Sequence, residues 1–238
     1  MAIEQGVDKV GVVASSRLRE AGLPPGYGPE DMLPGAKSLI SFLVRGMDVA
    51  RARLPLEPDG KNLGALEHSM QFVLLGSGWP GATHLDLISY RIARELVKRG
   101  HRALPIPSGH PYDKMKARGI ICQKHAAVPA GLGEMGVNQL LMTLEYGCNV
   151  WPGAVLTDAA LEEDVDFVPH LCAESRKTCS YACIKACPAG ALSPEGTVDK
   201  KKCVTYLYDV PGKPYGYQYY QHEVRCARCM YACPVGRE

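Results

Sequence analysis

The chain has 238 residues, 46% of them hydrophobic, and a net charge of +2. That length suits one or two domains with a proper core, and the near-neutral charge gives no sign of a nucleic-acid surface. No apolar run reaches the ~18 residues needed to span a bilayer, and Met1-Ala2-Ile3-Glu4 is not a secretory start, so a cytoplasmic, membrane-free protein is expected.

In chain order, Val10-Gly11-Val12-Val13-Ala14 is a short apolar strand candidate. Leu39-Ile40-Ser41-Phe42-Leu43-Val44 is a stronger one, set off by the turn Pro34-Gly35. Leu66, Met70, Val73 and Leu74 carry helical spacing. The clearest helix covers residues 84–99, where Leu85, Ile88, Ile92 and Leu96 recur at intervals of three and four. Thr83 is its expected N-cap and Gly100 its expected stop. His110, Pro111, Tyr112 and Asp113 follow as a polar loop, read as an ordinary turn rather than as a source of proton donors. Ala154-Val155-Leu156-Thr157 is a third strand candidate after Pro152-Gly153.

Gly131-Leu132-Gly133-Glu134-Met135-Gly136 matches G-x-G-x-x-G, with Asp158 downstream. A dinucleotide site needs a strand leading into the first glycine. The lead-in here, His125-Ala126-Ala127-Val128-Pro129-Ala130, is poor in β-branched residues and contains a proline. A loop whose backbone comes close to another large ligand is expected instead, since glycine allows close approach. His125 is read as a hydrogen-bonded structural residue.

From about Phe167 the composition changes. Of ten cysteines, eight lie between Cys172 and Cys233, and only Cys122 and Cys148 precede them. Two runs each close on Cys-Pro: Cys179-x3-Cys183-x3-Cys187-Pro188 and Cys226-x2-Cys229-x3-Cys233-Pro234. Cys172 precedes the first run, and Cys203 stands between the two. Structural zinc pairs two short knuckles, of which only one is present, and disulfides belong to short secreted chains. Runs ending in Cys-Pro resemble those of bacterial ferredoxins, where the last cysteine of each run ligates the other run's cluster. Two [4Fe–4S] clusters are expected. Cys172, Cys179, Cys183 and Cys233 would hold one, and Cys187, Cys203, Cys226 and Cys229 the other. With little apolar periodicity, the segment after Phe167 should depend on its metal for folding. Tyrosines 206, 208, 215, 217, 219 and 220 are expected to shield the clusters from water. The Lys200-Lys201-Lys202 run reads as a solvated turn.

Residues 124–141, from Lys124 through Ala130-Gly131-Leu132-Gly133 to Leu140-Leu141, resemble the epoxyqueuosine reductase and reductive dehalogenase superfamily. Glu145-Tyr146-Gly147, Leu156-Thr157-Asp158 and residues 198–207 continue the likeness, which covers roughly 120–235. The resemblance implies a nitroreductase-like α/β core that binds a corrinoid (cobalamin), over residues 1–166. A small ferredoxin-like module with two clusters would follow, over 167–238. Electrons would pass through the clusters to cobalt for a reductive reaction such as dehalogenation or deoxygenation. The donor would be a ferredoxin or flavodoxin, and the substrate a small molecule. Gly131, Gly133 and Gly136 would let backbone pass close to the corrinoid, and Asn138 would give it a polar contact. No catalytic residue is assigned. The alternative is an electron-transfer protein or subunit without a substrate of its own.

Three features depart from the family pattern. The first cysteine run is spaced three and three instead of two and two, which makes Cys172 its distant fourth member. The segment Lys114-Met115-Lys116-Ala117-Arg118-Gly119 is basic where epoxyqueuosine reductases carry an acidic proton donor. The chain stops at Glu238 without the C-terminal repeat domain of many of those enzymes. Queuosine chemistry and a nucleic-acid partner are therefore not expected.

Overall fold

The computed structural model describes residue 4 and residues 6–20, 28–46, 78–108, 112–113, 118–119, 121–164, 170–208 and 228–236. The expected helix around Leu66–Leu74 lies outside them, as do His110, Pro111, residues 114–117, Cys226 and the tyrosines at 215, 217, 219 and 220.

Four strands form one antiparallel sheet. β1 (Lys9–Ala14) leads into the short helices α1 (Ser15–Glu20) and α2 (Pro29–Met32), and then into β2 (Ser38–Arg45). Helix α3 (Gly78–Lys98) and β3 (Ala103–Ile106) follow, and the central strand β8 (Val150–Thr157) comes last, giving the order β1-β2-β8-β3. Between β3 and β8 lie β4 (Tyr112–Asp113), β5 (Arg118–Gly119), α4 (Gln123–Ala127), and the two-stranded hairpin of β6 (Glu134–Met135) and β7 (Leu141–Met142). Register sets Val13 beside Leu39, Leu39 beside Leu156, and Leu156 beside Leu104, a leucine-rich row across the sheet.

β2 shows no apolar–polar alternation because both its faces are covered. Leu39 and Leu43 pack under α4 and the chain that follows it, with Ala126, Ala127, Ala130 and Leu132. Ile40 and Phe42 pack under α3, with Leu85, Ile88, Ile92 and Leu96. All four expected α3 stripe residues are buried, each contributing on the order of 1.5–3 kcal/mol. Thr83 is not the cap: the helix already begins at Gly78, so Thr83 lies inside it. Gly100 does end it. At φ +88° it takes the left-handed conformation, its N–H bonds the Val97 carbonyl (3.0 Å), and His101 N–H bonds that of Leu96 (3.1 Å). This double closure favours glycine.

A dinucleotide-binding arrangement is ruled out. The sheet is antiparallel, Gly131 follows α4 and not a strand, and Asp158 is held by Arg102 (Nε to Oδ2, 2.9 Å). That guanidinium bond keeps the Asp158 carboxyl below its ordinary range. The fold is thus mixed α and β, with helices on both faces of a mostly buried sheet. No helix among the described residues is long and apolar enough to cross a membrane.

Candidate metal centre

The cysteine-rich segment is built from short helices: α5 (Leu171–Cys179), α6 (Ala182–Lys185), α7 (Lys200–Tyr208) and α8 (Arg228–Ala232). Among its described residues only Leu171 and Ala191 count as buried apolar side chains, so little core holds it. Its attachment to the sheet domain is specific. The Glu134 carboxylate of β6 accepts the N–H groups of Leu171 (3.1 Å) and Cys172 (2.8 Å). Those are orphan donors at the start of α5, where an anion is favoured. The Lys200–Lys202 run is not a turn. It opens α7, capped by Asp199, whose Oδ1 accepts Lys202 N–H at 3.0 Å.

Helix α5 ends at Cys179, and the chain reverses through Ser180 (φ 47°) and Tyr181 (φ 58°). Two successive left-handed non-glycine residues cost on the order of 1–3 kcal/mol each. They are two of the three residues between Cys179 and Cys183, and α6 begins directly after them. α6 packs on α8.

The result is a narrow cavity lined by Cys172, Cys179, Cys183 and Cys233, closed by Val137, Met142 and Val235. Three of these cysteines come from the start of the segment and the fourth from the second Cys-Pro. Val137 N–H points at Cys172 Sγ (3.4 Å), and Arg176 lines the same cavity. Burial pushes the Cys172 and Cys183 thiols up, whereas the Val137 N–H and the Arg176 charge pull Cys172 back toward the thiolate. Among the described residues no three Cys, His, Asp or Glu side chains converge as a single ion needs. Cys172, Cys179, Cys183 and Cys233, around one cavity, are the residues that could hold a cluster there.

The described members of the other expected ligand set do not line this cavity. Cys187 Sγ accepts Ala191 N–H (3.4 Å), Cys203 lies in α7, Cys229 lies in α8, and Cys226 is outside the described residues.

A second cavity of about 410 Å³ adjoins the first and shares Val137, Cys172 and Arg176 with it. Its wall includes Glu134, Gly136 and Gln139 of the glycine-rich segment. In the chain by itself, however, the glycines face protein. Gly131 (φ +74°) makes a left-handed turn, and a Cβ on Gly133 would strike the Met142 carbonyl. A Cβ on Gly136 would meet Asn138 Oδ1 and Met142 Sδ. Asn138 is buried, and its Nδ2 donates to Cys148 Sγ and the Cys229 carbonyl, both at 3.4 Å.

Sequence reasoning missed two features. Cys148, set apart in sequence, is buried against Cys233, Met142 and Leu171. Cys122 and His125 form a pair: burial raises the Cys122 thiol, but the bonded imidazole and nearby Lys124 outweigh it and bring it down to about 7. His125 is correspondingly raised by Cys122. The Cys-x2-His spacing at a helix start was the available signal.

No family model matches the chain. An epoxyqueuosine reductase of Gloeobacter violaceus is 38% identical over 121 residues, 49% of this chain and 36% of that protein. The chain thus spans little more than a third of that relative's length. In fold it matches a solved epoxyqueuosine reductase with a tRNA stem loop, at TM-score 0.60 and 22% identity, over 99% of this chain and 63% of that one. It also matches a reductive dehalogenase structure described as suggesting B12-dependent dehalogenation, at TM-score 0.64 and 16% identity, over 100% of this chain and 31% of that one. By sequence the chain is similar to epoxyqueuosine reductases, and by fold to both epoxyqueuosine reductases and reductive dehalogenases, the resemblance that residues 120–235 carry.

Proposed function

We propose that the chain is an iron–sulfur oxidoreductase with two [4Fe–4S] clusters, passing electrons to a corrinoid for a reductive reaction such as dehalogenation or deoxygenation. The observation that carries this reading is the single cavity ringed by Cys172, Cys179, Cys183 and Cys233. Its membership is the crossed set expected of a two-cluster module, with the closing cysteine taken from the other run. Residues 1–166 form the core and 167–238 the cluster module in this reading. Cys187, Cys203, Cys226 and Cys229 hold the second cluster. Eight open thiolates need a reducing compartment, which points to the cytoplasm.

The clusters supply one-electron transfer. The chain's own residues hold them and shape where electrons leave. Val137 N–H and Arg176 stabilise charge on the Cys172 side. The 410 Å³ cavity borders that same cysteine, so an acceptor seated there would be next to a residue that would hold the first cluster. This volume takes a small ligand or one edge of a corrinoid. Gly136 and Gln139 would line that edge.

A second reading, electron transfer without a corrinoid, draws on the contacts of Gly133, Gly136 and Asn138, all satisfied inside the protein. Nucleic acid returns as a substrate class to test, because a relative of the same fold is solved with a tRNA stem loop. Anaerobic purification with metal analysis separates the readings. About eight irons per chain are expected, with a corrinoid absorbance band and stoichiometric cobalt after cobalamin is supplied. Full iron without cobalt retention selects the electron-transfer reading. About four irons, or zinc in their place, overturns the cluster assignment. A tRNA stem loop added in a gel-shift assay tests the substrate class.

A further inference from the structure

Arg176, in the wall of the cavity of about 410 Å³, forms no ion pair and no side-chain hydrogen bond among the described residues. It follows Cys172 by four residues on α5, so both side chains leave the same face of the helix. That placement is why Cys172 and Arg176 each border both cavities. Other polar side chains of the larger cavity are engaged. Both oxygens of Glu134 accept N–H groups, from Leu171 and Cys172, and Gln139 Nε2 donates to the Gly196 carbonyl. The guanidinium is left as the charged donor without an acceptor.

A basic residue in the last turn of a helix ordinarily answers the helix dipole. Lys177, exposed next to Arg176, already serves that purpose. Arg176 is placed differently. It is half-buried, and its guanidinium carbon lies 6.0 Å from the centroid of the Tyr181 ring. Tyr181 is one of the two left-handed residues in the reversal after α5, so a strained turn sets an aromatic face against this cation. A guanidinium held by its face keeps its N–H edge for an acceptor.

The fork of N–H groups matches an oxyanion, a carboxylate or a phosphate. Glu134 and Glu195 border the same cavity, and two carboxylates beside one cation disfavour a doubly charged group. Met135, Val137, Ala173 and Pro194 give the wall an apolar part that suits an apolar body. We propose that Arg176, steadied by Tyr181, binds the carboxylate of a small molecule with an apolar body in this cavity. The inference deepens the reductase reading above, on which it rests, by naming the class of its substrate. The carboxylate would sit near Cys172, and Arg176 would offset its repulsion from a negatively charged cluster there.

The test is an anaerobic calorimetric titration of the iron-loaded full chain with cyclohexanecarboxylate and with the uncharged cyclohexanecarboxamide. The carboxylate should bind saturably, and the amide roughly ten- to hundredfold more weakly. Arg176→Gln should lose the carboxylate by a similar factor, with smaller losses in Arg176→Lys and Tyr181→Leu. An amide that binds as well as the carboxylate overturns the proposal, as does unchanged carboxylate affinity in Arg176→Gln. If Arg176→Gln fails to hold iron, the wild-type comparison of carboxylate with amide decides alone. The phosphodiester of a corrinoid offers the guanidinium the same chemistry, so the titration is repeated with hydroxocobalamin present. Carboxylate binding that persists supports the proposal, and binding that is blocked assigns Arg176 to the corrinoid and overturns it. A wild-type chain that takes up no iron overturns the reductase reading, whereas an iron-loaded chain that ignores the carboxylate overturns this inference alone.

Discussion

At the scale of single residues, the cysteines show what sequence carries and what it hides. The resemblance of the two Cys-Pro runs to those of ferredoxins groups Cys172, Cys179, Cys183 and Cys233 as one expected ligand set, and these four line one cavity. It gave no hint of Cys148, whose closeness to Cys233 depends on two loops distant in sequence meeting backbone to backbone. The pair of Cys122 and His125 was legible only as a spacing, and its meaning came from partial burial. With its thiol near pKa 7, Cys122 is thiolate in increasing proportion as pH rises through that value, and the thiolate is the reactive form. In the cluster-loaded protein, iodoacetamide labelling of Cys122 should therefore reach half its maximal rate near pH 7. His125→Ala removes the partner that outweighs burial and should move that midpoint to higher pH. Peptide mapping by mass spectrometry reads both. Identical profiles in the two proteins would contradict the pairing.

Among elements, periodic ones were read correctly and contextual ones were not. α3 announced its buried stripe and its glycine stop, since both are local properties. Thr83 has the residue type of a cap, yet it lies inside the helix, which begins at Gly78. The hairpin of β6 and β7 was read as a loop. Its strands are two residues each, too short for a period, and its glycines serve contacts across the hairpin. Gly133→Ala should cost about 1–3 kcal/mol, because its Cβ would meet the Met142 carbonyl. Glu134→Ala should cost about 1 kcal/mol through the lost cap on α5. Thermal unfolding of the cluster-loaded chain checks both, with Gly133→Ala expected to show the larger drop. If Glu134→Ala leaves the transition unmoved, Glu134 is not what anchors α5.

At the scale of the molecule, two parts are held by different forces. The sheet domain has apolar layers on both faces, and among its described residues the cysteine segment has almost no buried apolar side chains of its own. Loss of the metal should therefore unfold residues beyond about 170 and leave the sheet intact. Limited proteolysis of air-bleached protein should cut first within 170–236, whereas the fragment ending after β8 survives with α3 helicity. Equal resistance of both parts would show that docking through Glu134 and Gly147 suffices without metal. A change of composition near Phe167, on which the proposed division into a core and a cysteine module rests, was legible in the sequence. How tightly the two meet was not, since that depends on Gly147 and Gly236 fitting against each other.

The cavity ringed by Cys172, Cys179, Cys183 and Cys233 also orders events in time. A ribosome delivers the first three of these thiols well before the fourth, and by then β8 has long since emerged to complete the sheet. The half that needs no metal can thus finish folding while three thiols still await their partner. On the proposed reading, iron would be sealed in only after the sheet domain, with Gly147 in place, offers the surface against which residues 233–236 pack. If the proposed cluster is held there, its assembly would follow both the completion of the sheet domain and the emergence of Cys233.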